Sequence, residues 1–134
     1  MPELSADIIR SHAKDGYELL TAAHFPQIIA DVAREHHGTL PIKYFYDKAM
    51  KLSGGDADIK DYSYLGPTPR TRIAAIVMIA DASEAATRAL ADRSPENVER
   101  TVRAIIEERM DLDQFADCDI TCLLYTSPSP RDCS

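Results

Sequence analysis

No stretch of this sequence stays apolar for long enough to cross a bilayer. The longest uninterrupted run, residues 73–80, falls far short of the roughly 20 residues that a membrane helix needs. No charged segment followed by an apolar one opens the chain in the manner of a secretory signal, so the sequence as it stands is expected to be soluble. Cysteine is scarce: Cys118, Cys122 and Cys133 crowd the C-terminal end, are odd in number and include no second close pair to complete a zinc site. That usage points to a reducing compartment. Positive charge is in deficit, with 15 Lys and Arg against 22 Asp and Glu and a net charge of −7. The acidic residues are spread along the chain, so its field repels polyanions, and DNA or RNA polymers are not expected partners. A small phosphate substrate is not excluded, because a bound divalent metal inverts the local electrostatics of an acidic protein. No segment alternates with period two for long enough to require a sheet, and no repeat emerges; the expected class is all-α.

What is present is ordinary for a soluble domain: 134 residues, 45% apolar and 28% charged. The length suits one domain. Leu4, Ile8, Ile9, His12, Gly16, Leu19 and Leu20 recur at helical spacing, with Ser5 as the candidate N-cap of an amphipathic helix. Pro26 stands where a second helix would begin, Ile28, Ile29, Val32 and Ala33 supply its apolar face, and Gly38 closes it. Pro41 is placed to open a third helix with Ile42, Phe45, Tyr46, Ala49 and Met50 on one face, ending in Ser53, Gly54 and Gly55. Residues 56–70 carry Gly66, Pro67 and Pro69 without sustained periodicity, and their aromatics Tyr62 and Tyr64 predict an ordered loop. The strongest periodicity, residues 71–90, predicts the central core helix. Ser94, Pro95 and Glu96 then form a capping sequence for a fifth helix over 95–110, with Val98, Val102, Ile105 and Ile106 inward. The character changes at Cys122, where a Pro/Ser-rich end, CLLYTSPSPRDCS, has no helical face and is expected to be disordered. That string also resembles translated sequencing adapter, so residues 122–134 are set apart from residues 1–121 as non-native, implying a truncated gene.

Four residues stand out for chemistry. Asp81 lies in the most apolar helix, flanked by Ala80 and Ala82, where an unpaired buried carboxylate is costly. A cluster of N–H or hydroxyl donors, a salt bridge to Arg72 or Arg88, or a metal ion would each answer that cost. His36 and His37 end the second helix; adjacent side chains there diverge by about 100° but can converge on one ion if the backbone loosens at Gly38. The alternative is that one ring caps the helix C-terminus while the other is solvated. His12, two turns into the first helix, is either a hydrogen-bonded core histidine or a ligand. His24 has no partner in the sequence and reads as a surface or packing residue. Lys43, Tyr44 and Tyr46, with Arg70 and Arg72, can contact phosphate or stack on a base if their faces turn to a metal; otherwise they are solvated basic residues and core tyrosines. Glu84, one turn beyond Asp81, either orients that carboxylate from behind or is a helix-surface acid.

The words SHAKDGYELL, PQIIADVAREHHGTLPIKYFYDKAM, YLGPTPRTRIAAIVMIADASEAATRAL and RMDLDQFADCDIT resemble successive segments of one family. It is the HD-type hydrolase domain of the PgpH-type, seven-transmembrane-HD cyclic di-AMP phosphodiesterases. The likeness covers residues 1–121, and its most specific parts are HHGT followed by KYFY, and AAIVMIAD ending at Asp81. The resemblance implies a helical domain holding two divalent transition metals, iron or manganese, whose bridging water opens cyclic di-AMP to linear pApA. It places His12, His36 and His37 on the histidine positions of one metal and Asp81 on the aspartate of the other. No adjacent His-Asp pair occurs in this sequence, so the pair that names the fold is expected upstream of Met1. The resemblance thus implies part of a two-metal site, a chain inactive by itself, and exposed apolar patches where upstream helices would pack. It also implies a parent anchored in the plasma or inner membrane through upstream segments, with this part in the cytoplasm. The alternatives are an HD hydrolase of another cyclic dinucleotide or nucleotide, and a non-catalytic helical binding module.

Overall fold

The structure, a computed structural model, describes residues 1–120. Thr121 and the Pro/Ser-rich end, with Cys122 and Cys133, lie outside the described residues. Among the described residues there are five α-helices and no strand, so the chain is all-α. They fall into two compact units, one of residues Met1–Pro67 and one that begins at Thr68.

The first unit is built from α1 (Pro2–Ala22), α2 (Gln27–Glu35), α3 (Lys43–Ser53) and a short 3-10 helix, Ile59–Tyr62. Helix α1 starts earlier than its sequence suggests. Pro2 occupies the first turn, Glu3 adds negative charge beside it, and the Ser5 N–H already donates to the Met1 carbonyl at 3.2 Å. Ser5 is therefore an interior residue and not the N-cap. Small residues, rather than the long aliphatic ones, make the inner face: Ala6 and Ala13 of α1 and Ala30 of α2 are buried, whereas Leu4, Ile8 and Leu19 are exposed. At Gly16 a Cβ would meet only the Ala33 Cβ, at 3.8 Å, an ordinary contact. Gly16→Ala is therefore expected to stabilise the protein by about 0.5–1 kcal/mol through helix propensity and a less free unfolded chain, read as a higher midpoint in urea.

Helix α2 follows Pro26 as its composition suggests. At the next turn the start moves inward: α3 begins at Lys43 with Ile42 as its N-cap residue, because Pro41 is held outside the helix in an isolated antiparallel bridge to Ser63. Gly54, at φ 71°, closes α3 in the left-handed conformation that glycine adopts at no steric cost. The loop of residues 56–70 is ordered, and the reason is its own hydrogen bonding. Asp58 accepts from the Lys60 N–H at 3.0 Å to start the 3-10 turn, the Ile42 N–H donates to the Tyr62 carbonyl at 2.6 Å, and the Tyr64 N–H donates to the Leu40 carbonyl at 3.0 Å. Tyr62 is buried with Ala6 and Ala49, and Ile42, Phe45, Tyr46 and Ala57 pack around them. Burial, with Glu3 and Asp61 nearby, raises the Tyr62 phenol above its ordinary pKa of 10.0.

The second unit contains α4 (Arg72–Arg88) and α5 (Pro95–Asp111). Their starts follow side-chain caps: the Thr71 hydroxyl accepts from the Ala74 N–H at 3.2 Å, and the Ser94 hydroxyl from the Asn97 N–H at 3.3 Å. Here too the buried face of α4 is made of Ala74, Ala75 and Met78, while Ile73 and Ile76 are about half exposed, at 48% and 53%. The helix expected at the centre of the core thus contributes one buried face. Beyond α5 the chain turns back on itself, burying Gln114, Phe115 and Ile120. Thr68 donates to the Asp117 carboxylate at 2.6 Å, and Arg72 to both the carbonyl and the carboxylate of Asp119, at 2.6 and 2.9 Å. No helix of the described residues is long and apolar enough to cross a membrane.

Candidate metal centre

Three of the four histidines meet in the first unit. His12 reaches the site from α1, and the His36–His37 pair comes from the end of α2, with the two helices meeting closely where Gly16 faces Ala33. On a regular helix neighbouring side chains diverge by about 100°. Here the helix ends at His36, and Gly38 turns left-handed at φ 51°, so the rings of His36 and His37 lie 4.0 Å apart between centroids. His12 lies 5.7 Å from His36 and 4.7 Å from His37 by the same measure. One ring nitrogen of each residue falls within 4.8 Å of those of the other two, and among the described residues this is the group arranged to hold a metal.

Two backbone contacts decide which nitrogens face outward. His12 Nδ1 sits 2.5 Å from the Ile9 carbonyl, and His36 Nδ1 sits 2.8 Å from the Ala33 carbonyl. A carbonyl only accepts, so in each neutral ring Nδ1 carries the proton and donates it, which leaves the Nε2 lone pair for a ligand. That is the tautomer a metal-binding imidazole needs, fixed by a partner on its far nitrogen. Bonds of about 2.0–2.1 Å place neighbouring ligand nitrogens about 3 Å apart, so shifts of about an ångström would seat an ion on these rings. The residues present therefore fit one transition metal. His36 does touch a carbonyl of its own helix, as the capping alternative requires, but the contact uses Nδ1 and leaves Nε2 for the cluster.

Tyr64 completes the arrangement, and sequence reasoning did not assign it there. Its ring stacks on His37 at 4.4 Å and 10° and meets the edge of His12 at 5.8 Å. The only signal in the sequence was an aromatic in a loop rich in turn residues; what places it is the pairing with Leu40 across the loop.

Asp81 is different. It belongs to α4 in the second unit, and it is exposed. The face of α4 that buries Ala74 and Met78 continues through Asp81 at helical spacing, but burial stops before reaching it, so the carboxylate does not face the desolvation cost expected from its apolar neighbours. The two basic residues that could have paired with it are engaged elsewhere, Arg72 with Asp119 at 2.9 Å and Arg88 with Glu84 at 3.4 Å. Glu84 is accordingly a helix-surface acid. Among the other expected contacts, Tyr46 packs in the core with Tyr62, while Lys43, Tyr44 and Arg70 lie exposed. His24 stands apart from the cluster with a left-handed backbone, φ 61°.

An all-α chain with three converging histidines matches one family in sequence: the HD domain model fits residues 2–86, and the chain belongs to the HD-domain family. It is 42% identical over 120 residues to the cyclic-di-AMP phosphodiesterase PgpH of Bacillus subtilis, and 46% identical over 120 residues to that of Listeria monocytogenes. Each match covers 90% of this chain but 17% of the relative, so the chain spans about a sixth of the length of those proteins. The crystal structure of the L. monocytogenes PgpH HD domain in complex with cyclic-di-AMP superposes with a TM-score of 0.88 at 44% identity. That superposition covers 92% of this chain and 58% of the solved one.

Proposed function

We propose that this chain is the part of a metal-dependent cyclic di-AMP phosphodiesterase that carries one metal position and one ligand of a second. The observation that carries the reading is the three-histidine cluster, with the Nε2 atoms of His12 and His36 left for a ligand, set in a family whose relatives at over 40% identity bear that activity in their names. His12, His36 and His37 hold the first metal, and Asp81 contributes to the other. Imidazole and carboxylate together suit iron or manganese. When bound, the two metals supply activated water and charge stabilisation at the phosphoryl group.

The chain's own residues orient the ligands and shape their surroundings. Ile9 and Ala33 hold two rings through their carbonyls, and Tyr64 covers one face of His37 against competing water. Lys43, Tyr44 and Arg70 are the proposed contacts for phosphate and base, whereas Tyr46 and Arg72 are committed to packing and to Asp119. Residues 1–121 form the HD-domain portion, and residues 122–134 are foreign to it. The full protein is placed at the membrane by segments outside this chain, with the HD domain in the cytoplasm.

The test is hydrolysis by the protein carrying its upstream coding sequence, assayed with manganese on cyclic di-AMP, cyclic di-GMP and nucleoside phosphates. Cyclic di-AMP is expected to be consumed fastest, with pApA as the product. Absence of turnover, or preference for either other class, would overturn the proposal.

A further inference from the structure

The first unit contains a second feature suited to a phosphorylated ligand, and it involves none of the histidines. A cavity of about 420 Å³ opens between α1, the end of α2 and the loop at Tyr64, within the about 300–1,000 Å³ typical of small-molecule sites. Arg10, Lys14, Tyr17, Glu18, Arg34 and Tyr64 line it. Three cations against one carboxylate is a local reversal of sign in a chain whose net charge is −7.

Those cations are not equivalent. Arg10 is spent on structure: it pairs with Asp7 at 2.5 Å and donates to the Asp61 carbonyl at 3.2 Å. Lys14 is held only by a long contact to Glu18, 3.9 Å, between two well exposed side chains, which is worth little. Arg34 lies over the Tyr17 ring at 5.3 Å and has no carboxylate partner among the ion pairs of the described residues. Tyr17 is itself fixed, with Gln27 donating to its hydroxyl at 3.3 Å. An ammonium and a guanidinium therefore stand beside two tyrosines, the chemistry that takes a phosphate at one end and a planar ring at the other. Arg10 and Lys14 are each two residues from His12, roughly 160–200° away around α1, and no histidine lines the cavity, which adjoins the histidine cluster at Tyr64 and Gly38.

We infer that this cavity is a second, metal-independent site for a nucleoside monophosphate, with Lys14 and Arg34 on the phosphate and Tyr17 and Tyr64 against the base. It does not rest on the hydrolytic reading, since the histidines take no part in it. The test is calorimetric titration of the full chain, held in EDTA so that no metal can recruit phosphate, with adenosine monophosphate, adenosine and inorganic phosphate.

Saturable binding of one adenosine monophosphate is expected, tighter than adenosine or phosphate alone by about tenfold, because each of those lacks half of the contacts. Lys14→Gln and Arg34→Gln are each expected to weaken it about fivefold or more, and Lys48→Gln, outside the cavity, to leave it unchanged. The exchanged side chains are on the surface, and urea unfolding of each variant checks that the fold is intact. Absence of saturable binding by the parent chain overturns the site. Equal affinity for inorganic phosphate overturns the nucleotide, and indifference to both glutamine variants overturns the location. Loss of cyclic di-AMP hydrolysis in the longer protein would leave this result untouched.

Discussion

His36→Ala is expected to lower the chain's affinity for manganese or iron about 100-fold or more, measured as metal retained per chain after dialysis against a weak chelator. Removing an outer partner of a metal-bound histidine already costs about 10–100-fold, and here a ligand itself is lost. His36 is the sharpest test because its Nδ1 is tied to the Ala33 carbonyl, which leaves Nε2 for a ligand, and its ring is 4.0 Å from that of His37. His24→Asn is the matched control. It removes an imidazole from the same unit, and asparagine tolerates the left-handed backbone found there. Retention of metal by His36→Ala, or equal loss in both variants, would refute the three-histidine site.

Asp81→Asn is expected to act on turnover and not on the histidine metal. In the longer protein, cyclic di-AMP hydrolysis should fall at least about 100-fold, because an amide neither carries the charge nor matches the ligand strength that a second metal requires. In the present chain the same substitution should leave metal content and stability unchanged, since Asp81 is exposed and outside the histidine group. The contrast between the two measurements carries the prediction. Unchanged turnover in the longer protein would remove Asp81 from the site.

The helices were legible where their ends are determined locally. Thr71 and Ser94 cap α4 and α5 through their own hydroxyls, and Gly54 ends α3 with its own backbone, so each signal sits at the boundary it sets. Boundaries were missed where a more distant partner decided them: Pro41 looks like a helix opener, but its bridge to Ser63 holds it out of α3. The inner face of α1 was less legible for a related reason. Periodicity marks which residues share a face, and Leu4 and Ile8 do recur at helical spacing, yet Ala6 and Ala13 are what become buried, whereas in α4 the run of alanines itself signals close approach and Ala74 and Ala75 are buried.

The same division runs through the site. His36, His37 and Gly38 are contiguous, so a helix end that turns two rings together could be read directly from the sequence. Tyr64 could not, because its place against His37 depends on a hydrogen bond to Leu40 across the intervening helix. Asp81 was singled out by apolar neighbours, but a helix can be apolar in composition and still present one of its positions to water.

The contacts from Ile9 and Ala33 to the imidazoles have a consequence for how this centre tolerates change. Many histidine ligands are aimed by a carboxylate on another residue, and a single codon change can delete that support. Here the acceptors are main-chain carbonyls three positions earlier in the same helices, which every amino acid supplies. Sequence drift around the centre can alter its packing and charge, but the aim of these two rings persists for as long as α1 and α2 remain helical.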